Sequence, residues 1–181
     1  MKFIKYTALS LVGLIVISVV ILAFSYERII AGVLLPQYID WAYETDRKGL
    51  EMGTPLNEKE LLLAAEIGIK HPEKVRIVYV DAVPFPYENF ALKAFGEAVG
   101  LVGEGIVNNA QVFGYSIYAR KGFVLNRPKL AHELVHVLQI ERASLDSVVT
   151  QHFFDMAEYG YDDAPLEVEA AKANVMYSGD W

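Results

Sequence analysis

The stretch Leu130-Ala131-His132-Glu133-Leu134-Val135-His136-Val137-Leu138-Gln139 constrains the chain more than any other. Leu130, Leu134, Val135, Val137 and Leu138 make a helix here apolar almost all round, so it belongs in an interior. Within it His132 and His136 stand one turn apart on one face, about 6 Å along the axis and roughly 40° around it. Glu133 lies about 100° round from His132. Two imidazoles and a carboxylate are costly to desolvate in such a helix unless something pairs with them. A shared cation does that: both imidazoles point at it and Glu133 flanks it without binding. Histidines that are merely hydrogen-bonded in a buried helix are the competing reading.

Composition narrows the choice of ion and of surroundings. The 181 residues include no cysteine, so neither a disulfide framework nor a thiolate metal site is possible, and any ligands are nitrogen or oxygen. A net charge of −7, with no Lys/Arg cluster anywhere, argues against nucleic acid as a partner. The 54% hydrophobic content is high for a soluble protein and points to a membrane segment.

That excess sits at the amino end. Lys2 and Lys5 precede an uncharged run from Thr7 to Tyr26. As a helix this run spans roughly 30 Å, the thickness of a hydrocarbon core. Residues 1–26 are therefore expected to be a transmembrane anchor, with a signal peptide cleaved near Ala23-Phe24-Ser25 and secretion of the rest as the alternative. The cations before the run predict a cytoplasmic amino terminus and an extracytoplasmic domain. Residues 27–56 read as a juxtamembrane segment, punctuated at Pro36 and by Gly49 and Gly53. Tyr38, Trp41 and Tyr43 in it suit either a membrane interface or an amphipathic helix packed on the domain.

Residues 57–181 form the expected domain. Asn57 caps a helix to Lys70, with Glu58 and Glu60 in its first turn and His71-Pro72 ending it. The alternating, β-branched run Val75–Val83 is a strand, and Phe90–Val99 a helix. Glycines 96, 100, 103 and 105 miss nucleotide-loop spacing and read as a turn. Val112–Tyr118 and Phe123–Asn126 read as two strands of a hairpin turning at Arg120-Lys121-Gly122. Pro128 then opens the histidine helix. Ser144 caps a further helix to about Glu158, and Asp163 a last one to about Tyr177. The fold class is α+β.

A zinc site open for catalysis has three protein ligands. After His136 the candidates are His152, Asp155, Glu158, Asp162, Asp163, Glu167 and Glu169. On a helix Glu167 and Glu169 are about 200° apart, so only one of them faces the site. Glu167 shares its face with Ala170, Ala171 and Asn174, small groups that let two helices approach; Glu169 shares a more solvated face with Lys172. Glu167 is the preferred ligand and Glu169 the alternative.

His132-Glu133-Leu134-Val135-His136 followed by Glu167-x-x-Ala170 resembles the glutamate-zincin, thermolysin-like branch of the zincin metallopeptidases. The string from Tyr161 to Ala170, together with His-Glu-Leu-x-His-x-x-Gln, is also similar to small zincin-like proteins. The resemblance covers roughly residues 112–177. It departs from the metzincin pattern, since no third histidine closely follows His136, and it lacks the neighbours that accompany the ligands in thermolysin itself. The resemblance implies Zn²⁺ held by His132, His136 and Glu167, with Glu133 as general base toward a zinc-bound water. It further implies a protein or peptide substrate paired along an edge strand within Tyr115–Asn126. His152, Tyr159 and Tyr161 become candidates to stabilise the oxyanion, and Asp162 or Asp163 to receive a proton from a ligand histidine. The expected function is a membrane-anchored zinc metallopeptidase. The alternatives are a catalytically silent zincin-fold binding module and a zinc amide hydrolase acting on a non-peptide cell-envelope substrate.

Overall fold

The structure is a computed structural model and describes residues 28–181. The expected membrane span lies outside them; among the described residues no helix is long and apolar enough to cross a membrane. The chain divides into two compact units, residues 1–37 and 38–181. The described part of the first is helical, with a wide turn over Ile30–Leu34 in which the Leu35 N–H donates to Ile30 O. Pro36 has no N–H to donate and a ring that crowds an ordinary helix, and the wide turn accommodates both. Helix α1 (Leu35–Met52) therefore runs through the expected break at Pro36 and on past Gly49.

The larger unit is mixed α+β. After α1 come β1 (Thr54–Pro55), α2 (Glu58–Ile67), β2 (Arg76–Val80), α3 (Phe90–Ala98), β3 (Ala110–Phe113), β4 (Ser116–Arg120), α4 (Arg127–Arg142), α5 (Leu145–Tyr159) and α6 (Pro165–Met176). The sheet order is β1-β2-β4-β3, with β2 and β4 parallel and the other pairs antiparallel. Central β4 is covered on both faces. Ile117 joins Val75, Ile77, Leu130, Leu134 and Val137 in the main core. On the other face, Ser116 and Tyr118 meet α1.

From Tyr38 onward the buried stripe of α1 is Tyr38, Ala42, Thr45 and Gly49, small residues after the tyrosine. At Gly49 a Cβ would stand 2.5 Å from Ser116 Cβ, so only glycine lets the helix lie this close to the strand. The Tyr118 hydroxyl donates to Thr45 O at 2.8 Å. Trp41 packs edge-on against Phe113 at 5.2 Å between ring centroids. Residues 38–56, expected as part of a juxtamembrane segment, belong to the same compact unit as the rest of 38–181.

Local signals account for several boundaries. Asn57 accepts from the Lys59 and Glu60 N–H groups while Glu60 accepts from the Asn57 N–H, a complete capping box. Helix α2 ends earlier than expected, at Gly68 in the left-handed region (φ 101°), ahead of His71-Pro72. The hairpin also falls elsewhere. The expected strand Val112–Tyr118 is two strands folded back at Gly114 (φ 59°), and Phe123–Asn126 forms no strand. Asp46 holds that turn, accepting from Tyr115 N–H at 3.0 Å, Ser116 N–H at 3.1 Å and the Ser116 hydroxyl at 2.8 Å. Asp163 does not cap α6, which starts after Ala164 with no side-chain cap.

Candidate metal centre

Asn126 caps α4, its side chain accepting from the Lys129 N–H, and Pro128 lies in the first turn. The helix is buried as its composition requires: Leu130, Ala131, Leu134 and Val137 have no exposed surface. Its polar stripe faces α6, where Ala170 and Ala173 are buried and permit close approach. Glu167, in the first turn of α6, is 6% exposed and reaches into that stripe.

Three side chains converge there. His132 Nε2 and His136 Nε2 are 3.2 Å apart. Glu167 Oε2 lies 3.4 Å from His132 Nε2, and Glu167 Oε1 3.5 Å from His136 Nε2. One ligand atom from each lies within 4.8 Å of the others. Two imidazole nitrogens and one carboxylate oxygen gathered so closely fit Zn²⁺, which accepts both donor types in a compact shell.

The charges reinforce one another. Burial pushes Glu167 up, but hydrogen bonds and charge from His132, His136 and His152 outweigh it and hold the carboxyl far below the usual range. Burial pushes His136 down, yet Glu167 and Glu133 raise it to about 9. Glu167 and Glu133 thus favour positive charge beside His136. Glu133, only 9% exposed, is pushed up by burial, partly opposed by the two histidines.

Of the remaining candidates, two reach the site. His152 Nε2 on α5 lies 3.6 Å from Glu167 Oε1, and burial lowers its pKa, which favours the neutral ring. Tyr161, 55% exposed overall, lines the cavity, and its hydroxyl is held above the ordinary phenol value by desolvation there and then by Glu167 and Glu133. Tyr159 is half exposed and does not line the cavity. Asp162 and Asp163 are exposed and stay off the cavity. Glu169 faces away from the histidines, accepting from Gln139 Nε2 at 2.9 Å and from Arg142 Nη1 at 2.7 Å.

Gln139, the last residue of the His-Glu-Leu-x-His-x-x-Gln string, is the one to which the sequence reading gave no role. It lies 2.9 Å from His136 Nδ1 and is 4% exposed. Its place three positions after His136, on the same helix face, is the signal that marks it.

A cavity of about 120 Å³ opens beside the cluster. His132, Glu133, His136, His152, Tyr161 and Glu167 line its polar end, and Ile140, Leu145, Val148, Val149, Phe153 and Met156 its apolar wall. Residues Ala110 to Phe113 line it as well. The edge strand beside the site is thus β3; β4, inside the expected range Tyr115–Asn126, is interior to the sheet.

Compared with known proteins, the chain matches no family model, no curated protein and no solved structure.

Proposed function

We propose that this chain is a zinc-dependent, metallopeptidase-like hydrolase, anchored in a membrane by residues 1–26 with residues 38–181 facing outward, that cleaves peptide bonds. The observation that carries the reading is the convergence of His132, His136 and Glu167 from two helices on a cavity that edge strand β3 also lines. The apolar run and its flanking lysines support the anchor and its orientation.

His132 and His136 present Nε2 atoms, and Glu167 a carboxylate oxygen, as ligands. Bound there, a zinc ion supplies the Lewis acidity that activates water and polarises a carbonyl. Glu133 takes the proton of the attacking water on its carboxylate and delivers it to the leaving amine. Its burial raises its basicity above that of a solvated carboxylate. His152 and Tyr161 offer an N–H and an O–H at the same end of the cavity for the oxygen on which charge develops. Strand β3 holds an extended peptide by backbone pairing.

The test is hydrolysis of a peptide library by the full chain and by Glu133→Gln. The variant should keep stoichiometric zinc while turnover falls about 10²–10⁴-fold. Unchanged turnover in the variant contradicts the role of Glu133. Zinc bound without any cleavage by the native chain contradicts the hydrolase reading.

A further inference from the structure

We infer that Gln139 is a positioning residue that locks His136 with a proton on Nδ1, so that Nε2 is the nitrogen aimed at the metal position. This rests on the metal-site reading above and concerns how that site is made.

The orientation of the amide follows from its partners. Gln139 Nε2 donates to Leu166 O at 3.0 Å and to Glu169 Oε2 at 2.9 Å. Both are acceptors, so an amide turned over would set its oxygen against two other oxygens. Oε1 therefore occupies the remaining side, 2.9 Å from His136 Nδ1. An amide oxygen only accepts, so Nδ1 carries the proton. A neutral imidazole protonated there has its lone pair on Nε2, the atom 3.2 Å from His132 Nε2 and 3.5 Å from Glu167 Oε1.

The same amide reaches the second helix of the site. Leu166 O belongs to the peptide unit that leads into Glu167, so one side chain orients a ligand on α4 and the backbone of a ligand on α6. Glu169 is held in turn by Arg142 Nη1 at 2.7 Å. At 4% exposure Gln139 has no ready replacement by water. His132 is less firmly set: its Nδ1 has the Asn174 Nδ2 at 3.5 Å, the outer limit of hydrogen bonding. Of the two imidazoles, His136 is the pre-organised one.

The experiment uses the full chain, labelled with ¹⁵N-histidine and titrated with Zn²⁺ against a chromophoric chelator. In the zinc-loaded native protein, the His136 spectrum should show zinc on Nε2 and a slowly exchanging proton on Nδ1. Gln139→Leu should weaken zinc binding roughly 10–100-fold, the usual cost of losing a group that orients a ligand histidine. Gln139→Glu alone should weaken it as well, because the new carboxylate meets Glu169. The double variant Gln139→Glu/Glu169→Gln returns an acceptor to His136 and a donor from position 169, while Leu166 O stays without its donor, and should recover part of the loss. A side chain that merely filled space would lower the melting temperature in all three variants, with no recovery of affinity and no change in the His136 signals.

Zinc on Nδ1, no proton on Nδ1, or unweakened binding by Gln139→Leu overturns the inference and leaves the metal site standing. A native chain that binds no zinc overturns the metal site itself. Should Gln139→Leu fail to fold, the native spectrum decides alone.

Discussion

Asp46 and Glu167 are both carboxylates drawn inward from helices of the same domain, and their surroundings differ in kind. Asp46 meets the N–H groups of Tyr115 and Ser116 and the Ser116 hydroxyl, all within 3.1 Å. Glu167 meets side chains: the His132, His136 and His152 imidazoles at 3.4–3.6 Å, and Tyr161. Fixed donors complete the first acid and tie α1 to the β3–β4 turn. The second faces imidazole nitrogens that, with it, could hold a cation. An acid answered by backbone donors is tied into the fold; one answered by histidines leaves donor atoms that a cation could share.

The largest expected effect separates the two. Glu167→Ala should abolish stoichiometric zinc binding at micromolar metal, whereas Asp46→Ala should leave the stoichiometry at one. Equal loss of zinc in both variants would erase the distinction.

The stability effects run the other way. Asp46→Ala removes an acceptor from two backbone N–H groups and a hydroxyl, at a cost of about 3 kcal/mol, read as a fall of about 10 °C in melting temperature. A change within about 1 °C would show that Asp46 does not hold the turn.

Gly49→Ala comes next. The added Cβ would sit 2.5 Å from the Ser116 Cβ and Oγ atoms. Overpacking outweighs the gain in helix propensity, for a net loss of about 1–2 kcal/mol. A more stable variant would mean that α1 shifts off the sheet without penalty.

The smallest effect concerns Glu141, a third carboxylate with fixed partners. It accepts from Lys70 N–H at 2.7 Å, His71 N–H at 3.1 Å and the Tyr115 hydroxyl at 2.8 Å. Burial pushes its pKa up, and these donors outweigh burial and bring it below the ordinary value. A carboxyl depressed by folding stabilises above its unfolded pKa, and that contribution is lost as pH falls through the folded pKa. Glu141→Gln should therefore cost about 1 kcal/mol near neutrality and remove part of the acid-side decline in denaturant midpoint. An unaltered acid slope would contradict this.

These contrasts also show what the sequence makes legible. Short-range signals translate directly: the Asn57–Glu60 capping box, the Asn126-Arg127-Pro128 helix start, and the small residues that share a face with Glu167. The spacing of His132, His136 and Glu167, with the face argument on α6, leads to the observed cluster. Signals that depend on distant partners do not translate. Val112–Tyr118 is rich in strand formers, and the turn at Gly114 is held by Asp46, about seventy residues earlier. Phe123–Asn126 has strand-forming side chains and no strand beside it, and Val124 is left 70% exposed. Gly49 resembles a helix breaker until Ser116 is seen against it. Gln139 reads as one more polar residue on a buried helix until Leu166 and Glu169 supply the acceptors that orient it.

The most direct test of the metal centre is zinc-edge X-ray absorption on the full chain, loaded with one equivalent of Zn²⁺, beside His132→Ala. One tightly held zinc with two imidazole nitrogens and carboxylate oxygen at about 2.0–2.2 Å, disrupted in the variant, is the predicted result. An all-oxygen shell, or one that the variant leaves unchanged, would contradict it.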